Sequence, residues 1–218
     1  MPKLKIAPSI LSADFSKINR EIKQVEEYSD LIHVDIMDGI FVPPTTVNSD
    51  FVKKIKTQAP LDVHLMVHEP SDSYIQGFID AGAASITIHQ EACINPLHQI
   101  KFIKENGIKA CISIKPKTQI DSIKKYLDEV DMVLIMTVEP GWAGQKFMED
   151  VIHKVYFLRQ KHPNVKIEVD GGINFENADQ LIEAGADFLA VGSTIFENKN
   201  IDQAIRKLSQ ISAVKKTA

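Results

Sequence analysis

The sequence predicts a (β/α)8 barrel of the α/β class on three observations. Short runs rich in Ile, Val and Leu recur from end to end, segments of helical period separate them, and glycines mark the joins. Eight strand-like runs are legible: Lys5 to Leu11, Leu31 to Met37, Leu61 to Val67, Ser85 to His89, Lys109 to Ile114, Met132 to Val138, Lys166 to Asp170, and Phe188 to Gly192. Between them, segments such as Lys17 to Tyr28 and Phe147 to Lys161 repeat apolar residues at helical spacing, so each reads as a crossover between parallel strands. Gly82, Gly107 and Gly185 stand between a helical segment and the next strand, where a residue free to take positive φ ends a helix cheaply. An open doubly wound sheet is the alternative. It calls for a glycine-rich nucleotide fingerprint after the first strand, and Ser9-Ile-Leu-Ser-Ala-Asp14 is not one. Eight units in 218 residues leave compact connections, and no linker or shift of composition divides the chain, so residues 1–218 are expected to form a single domain.

Bulk properties narrow the function. With 44% hydrophobic residues the chain can fill a sizeable core, and a net charge of −4 without a basic block gives no footprint for nucleic acid or an anionic membrane. Small-molecule chemistry is the expectation. The longest apolar run, Met132 to Val138, is too short to span a bilayer. Cys93 and Cys111 lack Cys-x-x-Cys spacing and read as reduced intracellular thiols, not a disulfide frame. The start reaches Pro8, Ser9 and Asp14 before any stretch of signal-peptide length, which points to the cytoplasm. The oligomeric state, a homo-oligomer included, stays open.

Several strands carry polar residues on the wrong face. One face of each barrel strand meets the helices and the other fills the barrel, normally with branched apolar side chains. Ile32, Val34 and Ile36 share one parity, so His33, Asp35 and Met37 point inward. Strand three repeats this with Asp62, His64 and Met66, strand seven with Glu168 and Asp170, and strand one turns Ser9 inward. Any one of these could be a hydrogen-bonded core residue. Together they bury carboxylates at a cost of several kcal/mol each, with no Lys or Arg on the same faces. One divalent cation would offset that charge, and two imidazoles with two carboxylates suit zinc, iron(II), manganese or cobalt.

Three glycine-bearing turns follow strands six, seven and eight: Pro140-Gly141-Trp142-Ala143-Gly144, Asp170-Gly171-Gly172 and Gly192-Ser193. Each alone is an ordinary tight turn. On adjacent strands they read as backbone able to approach a phosphate closely, a recurrent feature of this barrel. Thr194 with Glu197 has the spacing of a capping box for a short helix starting just after Gly192.

Six segments together resemble the ribulose-phosphate 3-epimerase family over nearly the whole chain: Ala7-Pro-Ser-Ile-Leu-Ser-Ala-Asp14, His33-Val-Asp-Ile-Met-Asp-Gly39, Asp62-Val-His-Leu-Met-Val67, Met136-Thr-Val-Glu-Pro-Gly141, Gly144-Gln-Lys-Phe147 and Glu168-Val-Asp-Gly-Gly172. The resemblance implies the ribulose-phosphate-binding type of barrel and a 3-epimerase of the pentose phosphate pathway that interconverts D-ribulose 5-phosphate and D-xylulose 5-phosphate. It implies metal ligands His33, Asp35, His64 and Asp170, with Asp35 and Asp170 as the catalytic acid and base. It further implies substrate contacts from Ser9, His64, Gly141, Trp142, Ala143, Gly144, Gly171, Gly172, Gly192 and Ser193, and a lining of Met37, Met66 and Met136. This chain has Ile40 and Pro44 where the family usually has His and Asn, and Gly-Trp-Ala-Gly where it commonly has Gly-Phe-Gly-Gly.

The chemistry fits the resemblance. Epimerising C3 of a ketose phosphate means removing the proton beside a carbonyl and returning it from the opposite face. A carboxylate of pKa ~4 is a weak base for such a carbon acid, so a cation stabilising the enediolate should carry the larger share. An epimerase for D-allulose 6-phosphate would use the same machinery. Lys115, on the inward parity with Cys111 and Ser113, admits a Schiff-base aldolase, and a silent phosphate-binding barrel is a third reading.

Overall fold

The computed structural model describes residues 5–214, with side chains to residue 211; the first four residues of the N-terminal reading lie outside that range. Eight parallel strands form one sheet: β1 Lys5–Pro8, β2 Ile32–Met37, β3 Leu61–Met66, β4 Ala83–His89, β5 Lys109–Ile114, β6 Met132–Met136, β7 Lys166–Asp170 and β8 Phe188–Val191. Hydrogen bonding runs in the order β1-β8-β7-β6-β5-β4-β3-β2, and a parallel bridge between Ser9 and His33 joins the two ends. The barrel predicted from the sequence is the fold.

Helices fill most crossovers: α1 Ile18–Val25, α2 Ser49–Val52, α3 Asp72–Asp80, α4 Pro96–Glu105, α5 Val151–Lys161 and α6 Ala178–Ala184; α7 Ser193–Phe196 and α8 Ile201–Val214 follow β8. Their caps are partly legible. Asn48 and Ser71 accept from the backbone N–H three residues on, and Gly185 ends α6 at φ +108°. The crossover from β5 to β6 departs from the helical expectation, consisting of 3-10 turns at Ile120–Ser122 and Lys124–Tyr126. The spacing explains it. Ile120, Ile123 and Tyr126 are all buried and recur every three residues, the period of a 3-10 helix. α5 begins later than the predicted Phe147, because the Met148 N–H is donated to Thr137 O at the end of β6. The capping box fails as well: Gly192 is the N-cap of α7, and Thr194 Oγ1 instead donates to Ile173 O at 2.6 Å.

Strand parity divides the core in two. Ile32, Val34, Ile36, Val63, Leu65, Ile86, Ile88, Ile112, Val133, Ile135, Ile167 and Val169 join one large apolar cluster with the crossover residues. The opposite parity turns His33, Asp35, Asp62, His64, Ser85, Thr87, His89, Ser113 and Glu168 into the barrel, where all are buried. Such a polar interior gains no stability from apolar burial, which makes it the candidate for chemistry.

Candidate active site

Register brings the polar residues together. His33 pairs with Asp62 and Asp35 with His64 across β2 and β3, while Met136 of β6 pairs with Asp170 of β7. Nδ1 of His64 stands 3.0 Å from Asp35 Oδ1 and 3.8 Å from Asp170 Oδ2. Nε2 of His33 lies 3.4 Å from Asp35 Oδ1 and 4.0 Å from Asp170 Oδ2, and it makes no hydrogen bond although fully buried. One ligand atom from each of His33, Asp35, His64 and Asp170 lies within 4.8 Å of all the others. Ligands of a tetrahedral ion with bonds of ~2.1 Å stand about 3.4 Å apart, inside the spread found here. The donor set and the orphaned imidazole nitrogen therefore fit a divalent cation. A second trio, His33, Asp62 and Glu168, shares the other face of His33, but there Nδ1 already donates to Asp62 Oδ2 at 2.7 Å.

A cleft of about 490 Å³, its open mouth included, lies over this cluster. Asp35, Asp170, Ser9, Met37, Met66 and Met136 line its floor and walls. Gly141, Trp142, Ala143, Gly144, Gly171, Gly172, Gly192 and Ser193 also line it, so the expected glycine turns gather at one opening. Two of them require glycine. A Cβ on Gly172, at φ +64°, would sit 2.7 Å from Phe147 N and 2.8 Å from Gln145 O, and one on Gly171 would run into Val138. Ala143 meets no such demand, since the positive φ angles of its loop fall on Gly141 and Gly144. Trp142 borders the cleft while remaining 62% exposed. Of the expected substrate contacts, His64 alone does not line the cleft, and its side chain is fully buried.

A family model described as the ribulose-phosphate 3 epimerase family matches residues 5–196. The chain belongs to this family. It is 43% identical over 213 residues to the ribulose-phosphate 3-epimerase of Bacillus subtilis, covering 94% of this chain and 98% of that one. It is 44% identical to that of Synechocystis (92% and 90% covered), and 43% identical to the chloroplastic enzyme of Arabidopsis thaliana (92% and 74%). Among solved structures it is similar to 3-hexulose-6-phosphate synthase from Salmonella typhimurium, with TM-score 0.77, 20% identity and 96% and 99% of the two chains covered. Orotidine 5'-monophosphate decarboxylase from Sulfolobus solfataricus gives TM-score 0.66 at 12% identity with both chains fully covered; these two likenesses concern the fold.

In this member of the ribulose-phosphate 3-epimerase family the cluster is electrostatically tense. Burial would push Asp35 up, but His33 and His64 outweigh it and hold its carboxyl far below the usual carboxylate range. Asp170 is pushed up to about 6 by burial and by the charge of Asp35. Burial and the charge of Asp62 push Glu168 up to about 8, so it is mostly protonated at neutral pH, and neither oxygen has a hydrogen-bond partner. His33 resists burial and is raised well above its ordinary value by the carboxylates around it.

Sequence reasoning missed the β4 contribution. His89 is fully buried, its Nε2 is 2.9 Å from Nε2 of His64, and the two rings stack with centroids 4.9 Å apart. Its parity was readable in Ser85-Ile-Thr-Ile-His89, which alternates just as β2 and β3 do. Lys115 does not line the cleft; its Nζ sits 4.1 Å from the centroid of the Phe41 ring. Cys93 and Cys111 are free and buried, and burial raises both thiols, Cys93 to about 12. No described helix is long and apolar enough to cross a membrane.

Proposed function

We propose that this chain, acting as one barrel domain in the cytoplasm, interconverts D-ribulose 5-phosphate and D-xylulose 5-phosphate by two-base proton transfer at C3. One observation carries the reading: Asp35 on β2 and Asp170 on β7, separated in the ring by β1 and β8, both reach the same cleft beside the cation-sized cluster. Carboxylates arriving from different sides can serve opposite faces of one carbon. His33, Asp35, His64 and Asp170 would hold one zinc, iron(II), manganese or cobalt ion. Such an ion, when bound, stabilises negative charge on the C2 and C3 oxygens, a contribution of several kcal/mol that a carboxylate base alone lacks.

The remaining roles follow from position. Ser9 Oγ donates to Asp35 Oδ2 at 2.7 Å, holding that carboxylate in one rotamer at the edge of the cleft. Met37, Met66 and Met136 present apolar, polarizable walls, which keep water from reprotonating the carbanion at random. The turns after β6, β7 and β8 offer backbone for the phosphate of the sugar at the far end of the same cleft.

The two acids supply the test. Asp35→Asn and Asp170→Asn each keep a side-chain oxygen but lose the exchangeable proton site. Each variant is expected to lose epimerisation by about 10²-fold or more while slowly washing solvent deuterium into one epimer only, opposite epimers for the two variants. Near wild-type epimerisation by either variant, with metal bound, rejects the two-base scheme.

A further inference from the structure

We propose that His89 and Glu91 are positioning residues that fix the ring tautomer of His64, reserving its Nδ1 lone pair for the cation. The inference rests on the four-residue cluster being a metal centre. It starts from one geometric fact. Nε2 of His64 and Nε2 of His89 are 2.9 Å apart in a fully buried setting, so one proton, not two, lies between them. Which ring owns it is decided at the far end of His89.

There Nδ1 of His89 faces Glu91 Oε2 at 3.3 Å. The other oxygen of Glu91 accepts the backbone N–H of Lys115 at 2.7 Å and the hydroxyl of Thr118. These donors, with His89 itself, offset the burial of Glu91 and lower it to about 2. An ionised carboxylate only accepts, so His89 Nδ1 must carry the proton that points at it. With the ring's one proton on Nδ1, Nε2 of His89 is a lone pair 2.9 Å from Nε2 of His64. His64 then donates from its own Nε2.

A His64 ring that donates from Nε2 and has no proton on Nδ1 presents its one in-plane lone pair there. That lone pair points at Asp35 Oδ1, 3.0 Å away, and towards Asp170 Oδ2 at 3.8 Å. Lone pair against carboxylate is repulsive unless a cation sits between them, so the chain Glu91–His89–His64 presets one coordination position. Phe41 covers this chain from the rim, its ring 4.8 Å from that of His89. A histidine ligand whose second nitrogen is held by an outer partner binds metal about 10- to 100-fold more tightly than one left free.

The test uses zinc as the probe on full-length protein. Nitrogen-15 NMR of the zinc-loaded wild type should show His89 as a neutral ring protonated on Nδ1, the less common tautomer. His89→Phe keeps an aromatic ring but cannot accept, and zinc affinity should fall about 10- to 100-fold. His89→Gln offers an amide oxygen to the same proton and should recover most of that loss. Melting curves of each metal-free variant separate unfolding from weakened binding, and the NMR arm needs no substitution. An Nε2-protonated His89, or wild-type zinc affinity in His89→Phe, overturns the positioning role. Failure of the wild type to bind one zinc through His33 and His64 overturns the metal centre, and this inference with it.

Discussion

Removing His33 should damage metal binding and folding separately, and the two effects can be pulled apart. The side chain is fully buried between two duties: Nε2 faces the cluster, and Nδ1 donates to Asp62 Oδ2 at 2.7 Å. His33→Ala vacates one of four coordination positions. It also leaves Asp62 as a buried carboxylate with Ser85 as its remaining side-chain donor. Breaking a buried charge pair on one side costs about 3–5 kcal/mol, and in a chain of this size each kcal/mol lowers Tm by roughly 2–4 °C. The metal-free variant should therefore melt about 6–20 °C below the metal-free wild type. Adding Asp62→Asn removes the stranded charge, so His33→Ala/Asp62→Asn should regain much of the lost Tm while its zinc content stays low. Calorimetry and metal analysis of the same samples give both readouts. A His33→Ala protein that binds zinc as tightly as wild type refutes His33 as a ligand; one that melts unchanged refutes the pairing with Asp62.

Other predictions are more compact. Gly172→Ala should raise KM for the phosphorylated sugar more than it lowers kcat, because its Cβ meets the backbone of Gln145 and Phe147 and the turn must open; an unchanged KM moves the phosphate elsewhere. Metal affinity should rise with pH through about 6: Asp170 titrates there in the metal-free protein and must lose its proton to bind, so a flat titration of affinity from pH 5 to 8 contradicts its role as ligand. Lys115→Met should keep substantial activity, and borohydride should trap no sugar on the protein, since the Lys115 ammonium lies over Phe41 and away from the cleft; covalent trapping would favour the aldolase reading.

Much of this site was legible because a barrel strand has a strict period of two. A His or Asp between branched apolar residues in such a strand has only one place to point, and His33, Asp35 and His64 follow that rule; Asp170, at the end of β7 before Gly171, shares the parity of buried Glu168. His89 obeys it too, on a strand whose other inward residues, Ser85 and Thr87, carry no charge. Glu91 gave no signal: it lies in a 3-10 turn after β4, and its partner Lys115 is supplied by another loop. The crossover between β5 and β6 shows the limit of apolar periodicity, because apolar residues three apart fit a 3-10 turn as well as one face of an α-helix. Thr194 shows the limit of short motifs. Its spacing to Glu197 suits a cap, yet its hydroxyl is taken by Ile173 O, a partner brought near by the strand before.

The most direct test of the account is solvent exchange at a single carbon. Wild-type protein, its metal content determined on the same sample, is incubated with D-ribulose 5-phosphate in deuterium oxide and followed by proton NMR. One divalent cation per chain, appearance of D-xylulose 5-phosphate and deuterium at C3 of both epimers are expected, with epimerisation and exchange abolished by a chelator and restored by the metal. Metal-loaded, folded protein that neither forms the epimer nor exchanges the C3 proton would contradict it.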